Sequence, residues 1–163
     1  MIIDGKKEAA ILREEIKQEI ALIKSKTNKV PGLTVILIGE FAPSQIYVRN
    51  KEKNSKEVGI NSNVIKYSKD VTEEEVLKKI KELNNDDDVS GILVQLPLPA
   101  QINKEKIINE IDPLKDVDGF NQINVGNLEA GYKAIVPGNN SGSRVLREQD
   151  EKNWRGKQTE KNG

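Results

Sequence analysis

The sequence predicts an α/β protein, a three-layer αβα fold around a mainly parallel sheet. Three observations carry this prediction. Segments with apolar residues at three- and four-residue spacing alternate with short, dense apolar runs, LTVILIG at 33–39 and GILVQL at 91–96. Neither run interleaves polar residues, so both read as strands buried on two faces, which belong in a sheet covered by helices. Each is followed by a helical pattern, so successive strands are joined by right-handed crossovers. A chain of 163 residues has room for one compact domain and its core.

The elements follow in order. Residues 6–28 form an amphipathic helix, with Ala9, Leu12, Ile16, Ile20 and Ile23 on one face and Lys and Glu between them. Pro31-Gly32 ends it, and the strand 33–39 leads to a helix over 43–58, stopped by Gly59. NSNVIKYS, 61–68, is more polar and reads as a strand nearer a sheet edge. Thr72 and Glu75 make a capping box before EEEVLKKIKELN. NNDDDVS breaks that helix ahead of the strand 91–96, and a short helix over 103–110 ends at the Asp112-Pro113 turn. There is no internal repeat. From Pro137 onward the chain is polar and poor in β-branched residues. Residues 1–137 therefore read as the folded domain and 138–163 as a divergent tail, with 147–163 weakly ordered because SRVLREQDEKNW gives a short helix few apolar residues to dock with.

Composition removes several function classes. Charged residues make up 32% of the chain and balance at 26 against 26, so the basic surplus of a nucleic-acid binder is missing. With no cysteine there is no disulfide, thiolate nucleophile or cysteine metal site, and with no histidine no Ser-His-Asp relay. Proton transfer falls to Lys, Asp, Glu or Tyr. MIIDGKKEAA lacks the apolar core of a signal peptide, and no apolar run is long enough to span a bilayer. A cytoplasmic protein without a membrane partner is the expectation.

In such a sheet, ligands bind beyond the carboxyl ends of the strands, and three segments fall there. Tyr47 and Lys51 are four residues apart on the helix after the first buried strand and share a face; a tyrosine packed over a lysine stem fits the spacing equally well. Gln95 ends the second buried strand, and Pro97, Leu98 and Pro99 then stop its hydrogen bonding. That leaves the amide near the strand mouth, or marks an ordinary strand terminator. In DPLKDVDGFNQIN, Asp112, Asp116 and Asp118 precede Gly119 without the spacing or closing Glu of a calcium loop, and no metal is expected. A carboxylate there either accepts two parallel N–H bonds from a planar ligand edge or caps the turn. Phosphate-binding motifs fail: PGNNSGSR and RGKQ satisfy neither G-x-G-x-x-G nor G-K-[ST].

Taken in order, PSQIYVRNKEKNSKEVGI, GILVQLPLP and DPLKDVDGFNQINVGNL, with IIDGKKEAA and LTVILIGEFAPSQIYV before them, resemble the amino-terminal domain of bifunctional methylenetetrahydrofolate dehydrogenase/cyclohydrolases. The likeness covers residues 1–137. It implies that Lys51 is the catalytic lysine, that Tyr47 lines the folate cleft beside it, that Gln95 orients the lysine, and that Asp118 holds the pterin, with Pro97 and Gly119 in the same substrate-binding loops. A partly desolvated lysine can take and return a proton while water attacks the methenyl bridge. The resemblance also implies NADP as hydride acceptor, 5,10-methylene- and 5,10-methenyltetrahydrofolate as substrates, a homodimer, and a place in one-carbon metabolism and purine biosynthesis. The family continues past its Val-Pro with a Rossmann domain that binds NAD(P); here VPGNNSG departs from that pattern, so the chain looks like a truncated member. It is expected to lack hydride transfer alone, to keep weak cyclohydrolase activity at most, and to be monomeric. A folate-binding domain without turnover is the alternative, and a plain flavodoxin-like interaction module a third. Leu98-Pro99 and Val136-Pro137 are the candidate cis bonds.

Overall fold

The computed structural model describes residues 4–135. Helix α1 (Gly5–Thr27) leads into strand β1 (Gly32–Ile38), helix α2 (Ala42–Val58), strand β2 (Asn61–Tyr67), helix α3 (Glu73–Asn84), strand β3 (Gly91–Val94), helix α4 (Lys104–Glu110) and helix α5 (Gln122–Glu129). The strands are parallel in the order β2-β1-β3. The predicted α/β class and parallel sheet are borne out. The tail expected over 138–163 and the Val136-Pro137 bond lie outside the described residues.

The pleat of β1 sends alternate side chains to opposite faces, and each meets a different layer. Ile36 and Ile38, with Ile92 and Val94 of β3, pack on Val76, Ile80 and Leu83 of α3 and Ile107 of α4. Val35 and Leu37, with Leu93, pack on Val48 of α2. Strand β2 alternates exposed and half-buried residues, as the predicted edge strand should. Ile80 is fully buried, so Ile80→Val is expected to cost about 1 kcal/mol. The check is a lower denaturation midpoint in guanidinium with an unchanged slope.

Several boundaries differ from the predicted ones for local reasons. Helix α1 is ended by Asn28 in the left-handed region (φ 57), ahead of Pro31-Gly32. Gly32 instead opens β1, where a Cβ would lie 2.0 Å from the Asp88 carbonyl oxygen. Helix α1 lies against α2, and of its predicted apolar face Leu12 and Ile23 stay exposed while Ile20 is buried. Strand β3 stops at Val94, two residues early. The Gln95 N–H still donates to the Ile36 carbonyl at 2.9 Å, but Pro97 has no N–H to continue the ladder. Of the capping box predicted on α3, the Thr72 half is present: its hydroxyl accepts from the Glu75 N–H at 3.2 Å. Helix α5 falls in a stretch where the sequence predicts no element, because only the Asn121 cap announces it and its apolar residues follow no stripe. Among the described residues, no helix is long and apolar enough to cross a membrane.

Candidate functional site

Beyond their carboxyl ends, neighbouring strands β1 and β3 part company: β1 feeds α2 on one face of the sheet, and β3 feeds α4 on the other. A crevice opens where connections diverge in this way. Lys51 lies on α2, Gln95 just past the end of β3, and Asp118 in the segment that bridges to β3.

Lys51 sits on α2. The side of that helix turned toward the sheet runs Ser44, Val48, Lys51, Ser55, Val58, a four-three-four-three spacing that keeps one stripe inward. Four of the five are buried and Lys51 is half-buried. Packing alone would place an apolar residue in that slot, so the lysine is an exception to the helix's own pattern. Tyr47, one turn earlier, points outward and is 62% exposed.

Asp118 is held by a different device. Asp116 forms a single parallel bridge with Ile92, whose N–H donates to the Lys115 carbonyl at 2.7 Å, so residues 115–116 run beside β3. Gly91 permits this approach, because a Cβ there would meet Val117 Cγ1 at 2.4 Å. The Lys115 ammonium donates to the Leu83 and Asp86 carbonyls at 3.0 and 2.8 Å, tying the segment to the end of α3. Asp118, two residues past the bridge, is thereby brought level with the end of β3.

The two aspartates divide the work that the sequence left ambiguous. Turn capping belongs to Asp116: its carboxylate, 2% exposed, accepts from the Gly119 and Asn121 N–H groups at 3.1 and 2.8 Å. Gly119 takes the positive φ (68) that the turn requires. Asp118 is half-buried, and among the described residues its carboxylate accepts no hydrogen bond. Burial raises the Asp118 pKa above the usual carboxylate value, the Lys51 charge opposes that rise, and the Asp116 charge adds to it. Lys51 and Asp118 thus act on one another across the crevice.

That shift has a sign for stability. A raised folded-state pKa means the folded chain holds the Asp118 proton more tightly than the unfolded chain. Stability therefore falls as pH rises from the ordinary aspartate value through the raised one, and the deficit persists at neutral pH. Asp118→Asn is expected to melt at a higher temperature than the wild type at neutral pH. The difference should vanish in acid, as parallel thermal melts across that range would show.

Gln95 is half-buried beyond β3. Its Nε2 donates to the Leu96 carbonyl at 2.9 Å, which also accepts from the Ser44 hydroxyl at 3.2 Å, so the start of α2 is tied to the β3 exit. The Gln95 Oε1 is buried without a partner among the described residues, an acceptor left open for a donor. No hydrogen bond joins Gln95 to Lys51 or Asp118 among those residues. The exposed Pro97 follows a cis Leu96-Pro97 bond, one residue pair earlier than the Leu98-Pro99 candidate. Clefts open at two places among the described residues. One, of about 410 Å³, has Leu96, Lys104, Ile108 and Phe120 in its wall. The other, about 420 Å³, lies at the ends of β1 and β2 with Gly39, Glu40, Gln45 and Lys66. Lys51, Gln95 and Asp118 line neither. Sequence reasoning missed Asp116 as the organiser of the turn, although its place two residues before Asp118 and three before a glycine was a usable signal.

Residues 3–118 match the family described as tetrahydrofolate dehydrogenase/cyclohydrolase, catalytic domain. The chain is 57% identical over 157 residues to the bifunctional protein FolD of Pelagibacter ubique, covering 96% of this chain and 56% of the relative. It is 52% identical to the FolD of Chlorobium chlorochromatii, covering 81% and 45%. The solved structure of a 5,10-methylenetetrahydrofolate dehydrogenase from the silkworm Bombyx mori superposes with a TM-score of 0.90 at 40% identity, over 92% of this chain and 52% of that one. The FolD structure from Campylobacter jejuni gives 0.88 at 43% identity, over 91% and 52%. The chain spans about half the length of the curated relatives it matches.

Proposed function

Because the chain belongs to the family of tetrahydrofolate dehydrogenase/cyclohydrolase catalytic domains, we propose that its crevice binds 5,10-methylene- and 5,10-methenyltetrahydrofolate, with Asp118 on the pterin and Lys51 at the one-carbon bridge. The observation that carries this reading is the division between the aspartates: Asp116 supplies the structural cap, and Asp118 is partly desolvated and accepts no hydrogen bond among the described residues. A pterin edge presents an amino group and a ring N–H side by side, and a free carboxylate accepts both.

In cyclohydrolysis, a water oxygen bonds to the methenyl carbon, and one carbon–nitrogen bond of the bridge breaks. One water proton ends on the released ring nitrogen and the other goes to solvent. Lys51 is the group placed to carry the first of these. Gln95, whose Oε1 has no partner among the described residues, orients the lysine, and Tyr47 forms the outer wall with Pro97 and Gly119 on the opposite loops. Homodimerisation and a cytoplasmic, one-carbon role rest on family membership alone.

NADP does not fit the residues described. The loop after β1 carries Gly39, Glu40 and Phe41, and the one after β3 carries Gln95, Leu96 and Pro97. Neither is a glycine run opening onto a helix, and Glu40 would face a pyrophosphate with like charge. Hydride transfer is therefore not assigned to this chain.

Folic acid, which has the same pterin edge, tests the binding half of the proposal. Titrated into the 163-residue chain and followed by amide shifts, it is expected to bind the wild type and to bind Asp118→Asn roughly tenfold or more weakly. Equal affinities would remove Asp118 from the pterin. Binding without hydrolysis of 5,10-methenyltetrahydrofolate would favour a folate-binding domain without turnover.

A further inference from the structure

We propose that Asn124 is a positioning residue for Asp118, acting through the buried Asp116 carboxylate. The inference rests on the reading that Asp118 takes the pterin edge. Asn124 lies on α5 and is 4% exposed. Its amide nitrogen donates to the Pro113 carbonyl at 2.8 Å and to Asp116 Oδ2 at 3.1 Å, so one side chain holds both ends of the 113–116 segment. That same Oδ2 accepts the Asn121 N–H, and Oδ1 accepts the Gly119 N–H. Asn121 in turn caps α5 through the Ile123 N–H at 2.9 Å and donates to the Ile111 carbonyl at 2.9 Å.

These bonds form a closed circuit. Helix α5 orients Asn124, Asn124 fixes the rotamer of Asp116, and Asp116 fixes the N–H groups on either side of Phe120. Asp118 is carried on the turn so defined, and among the described residues its carboxylate accepts no hydrogen bond that would hold it independently. A buried, fully connected polar network specifies one geometry, while a network missing one member admits several. The Asn124 side chain also reaches forward: its Oδ1 accepts from the Ile135 N–H across 3.4 Å, a long contact, so the path of the chain leaving the domain bears on the same side chain. The role of α5, which packing alone does not demand, is then to supply Asn121 and Asn124 beneath the carboxylate turn.

The test uses the full 163-residue chain, folic acid as probe, and amide spectra recorded for the wild type, Asn124→Ala, Asn124→Ser and Asp118→Asn. In Asn124→Ala, the Gly119 and Asn121 amide signals are expected to shift while those of Ile36 and Leu93 in the sheet stay in place. Folic acid should then bind roughly three- to tenfold more weakly. Asn124→Ser keeps a donor and should fall between, which also covers the case in which the alanine variant does not fold. The Asp118 carboxyl carbon, followed through acid titration, should move toward the ordinary aspartate range in Asn124→Ala, because a loosened turn lets water reach it. Global weakening alone would not produce that change. Unchanged turn amides and unchanged affinity in both Asn124 variants, with affinity lost in Asp118→Asn, would overturn the role of Asn124 and leave the pterin site standing. Equal binding by wild type and Asp118→Asn would overturn the pterin site, and the positioning role with it.

Discussion

Asp116→Ala is expected to destabilise the domain by about 3 kcal/mol, a large share of the roughly 5–15 kcal/mol that holds a domain of this size. Three donors lose their acceptor at once: the Gly119 and Asn121 N–H groups and the Asn124 amide. Asn121 and Asn124 are themselves 2% and 4% exposed, so little bulk water reaches the gap. A buried donor left unpaired costs about 1–3 kcal/mol. Two effects reduce the sum: a water molecule can enter the vacated volume, and the penalty of desolvating the carboxylate disappears. Asp116→Asn separates hydrogen bonding from volume. It fills the same space, but turns an amide donor toward donors, and is expected to cost nearly as much as alanine. Urea denaturation of the three proteins measures this, and an asparagine variant as stable as the wild type would mean that volume, not accepted bonds, is what Asp116 provides.

The contrast between these two aspartates shows where the sequence is readable and where it is not. LTVILIG and GILVQL announced themselves because a strand covered on both faces must be apolar at every position, and the structure buries Val35, Ile36, Leu37, Ile92, Leu93 and Val94. Strand β2 betrayed its edge position through the polarity of Asn61, Asn63 and Lys66. Helix α5 had no such mark, since it is ordered by its Asn121 cap and by side chains that serve a turn, not by an apolar face. Apart from the family resemblance, the candidate lysine was visible only as a partner of Tyr47 at helical spacing. What sets it apart is its place in the inward stripe between Val48 and Ser55, and that register is known only once the sheet is in place. The resemblance named Asp118, but the pattern of DVDG alone did not separate it from Asp116, because the choice between cap and ligand acceptor depends on which carboxylate faces Gly119 and Asn121. The bridge to Ile92 holds Asp116 beside β3 and the turn closed by the Gly119 N–H on the Asp116 carbonyl carries Asp118 past it, and no pattern in the segment itself encodes that. The site is legible as a set of segments, and the roles within each segment are fixed by tertiary pairing.

Lys51→Met is expected to abolish hydrolysis of 5,10-methenyltetrahydrofolate, by about a hundredfold to ten-thousandfold, while leaving the domain as stable as the wild type or slightly more so. The two halves of this expectation have one cause. In the stripe Ser44, Val48, Lys51, Ser55, Val58, an unbranched apolar side chain at the middle position buries more surface against the sheet and exposes no charge to a half-buried slot. If both halves hold, Lys51 is present for its chemistry and not for its packing. Lys51→Arg divides that chemistry further. Arginine keeps the positive charge that opposes the rise of the Asp118 pKa, so folic acid binding should persist near the wild-type level. It remains protonated throughout the usable pH range and cannot take the water proton, so hydrolysis should fall almost as far as in the methionine variant. The loss of methenyl absorbance reads the rate, and thermal melts read the fold. If Lys51→Arg hydrolyses at the wild-type rate, the lysine acts as a fixed charge and the proton carrier lies elsewhere. If Lys51→Met hydrolyses at the wild-type rate, the crevice binds folate without this residue taking part in turnover. If the methionine variant loses several degrees of thermal stability, the ammonium has a structural partner, and its place in the stripe needs no catalytic explanation.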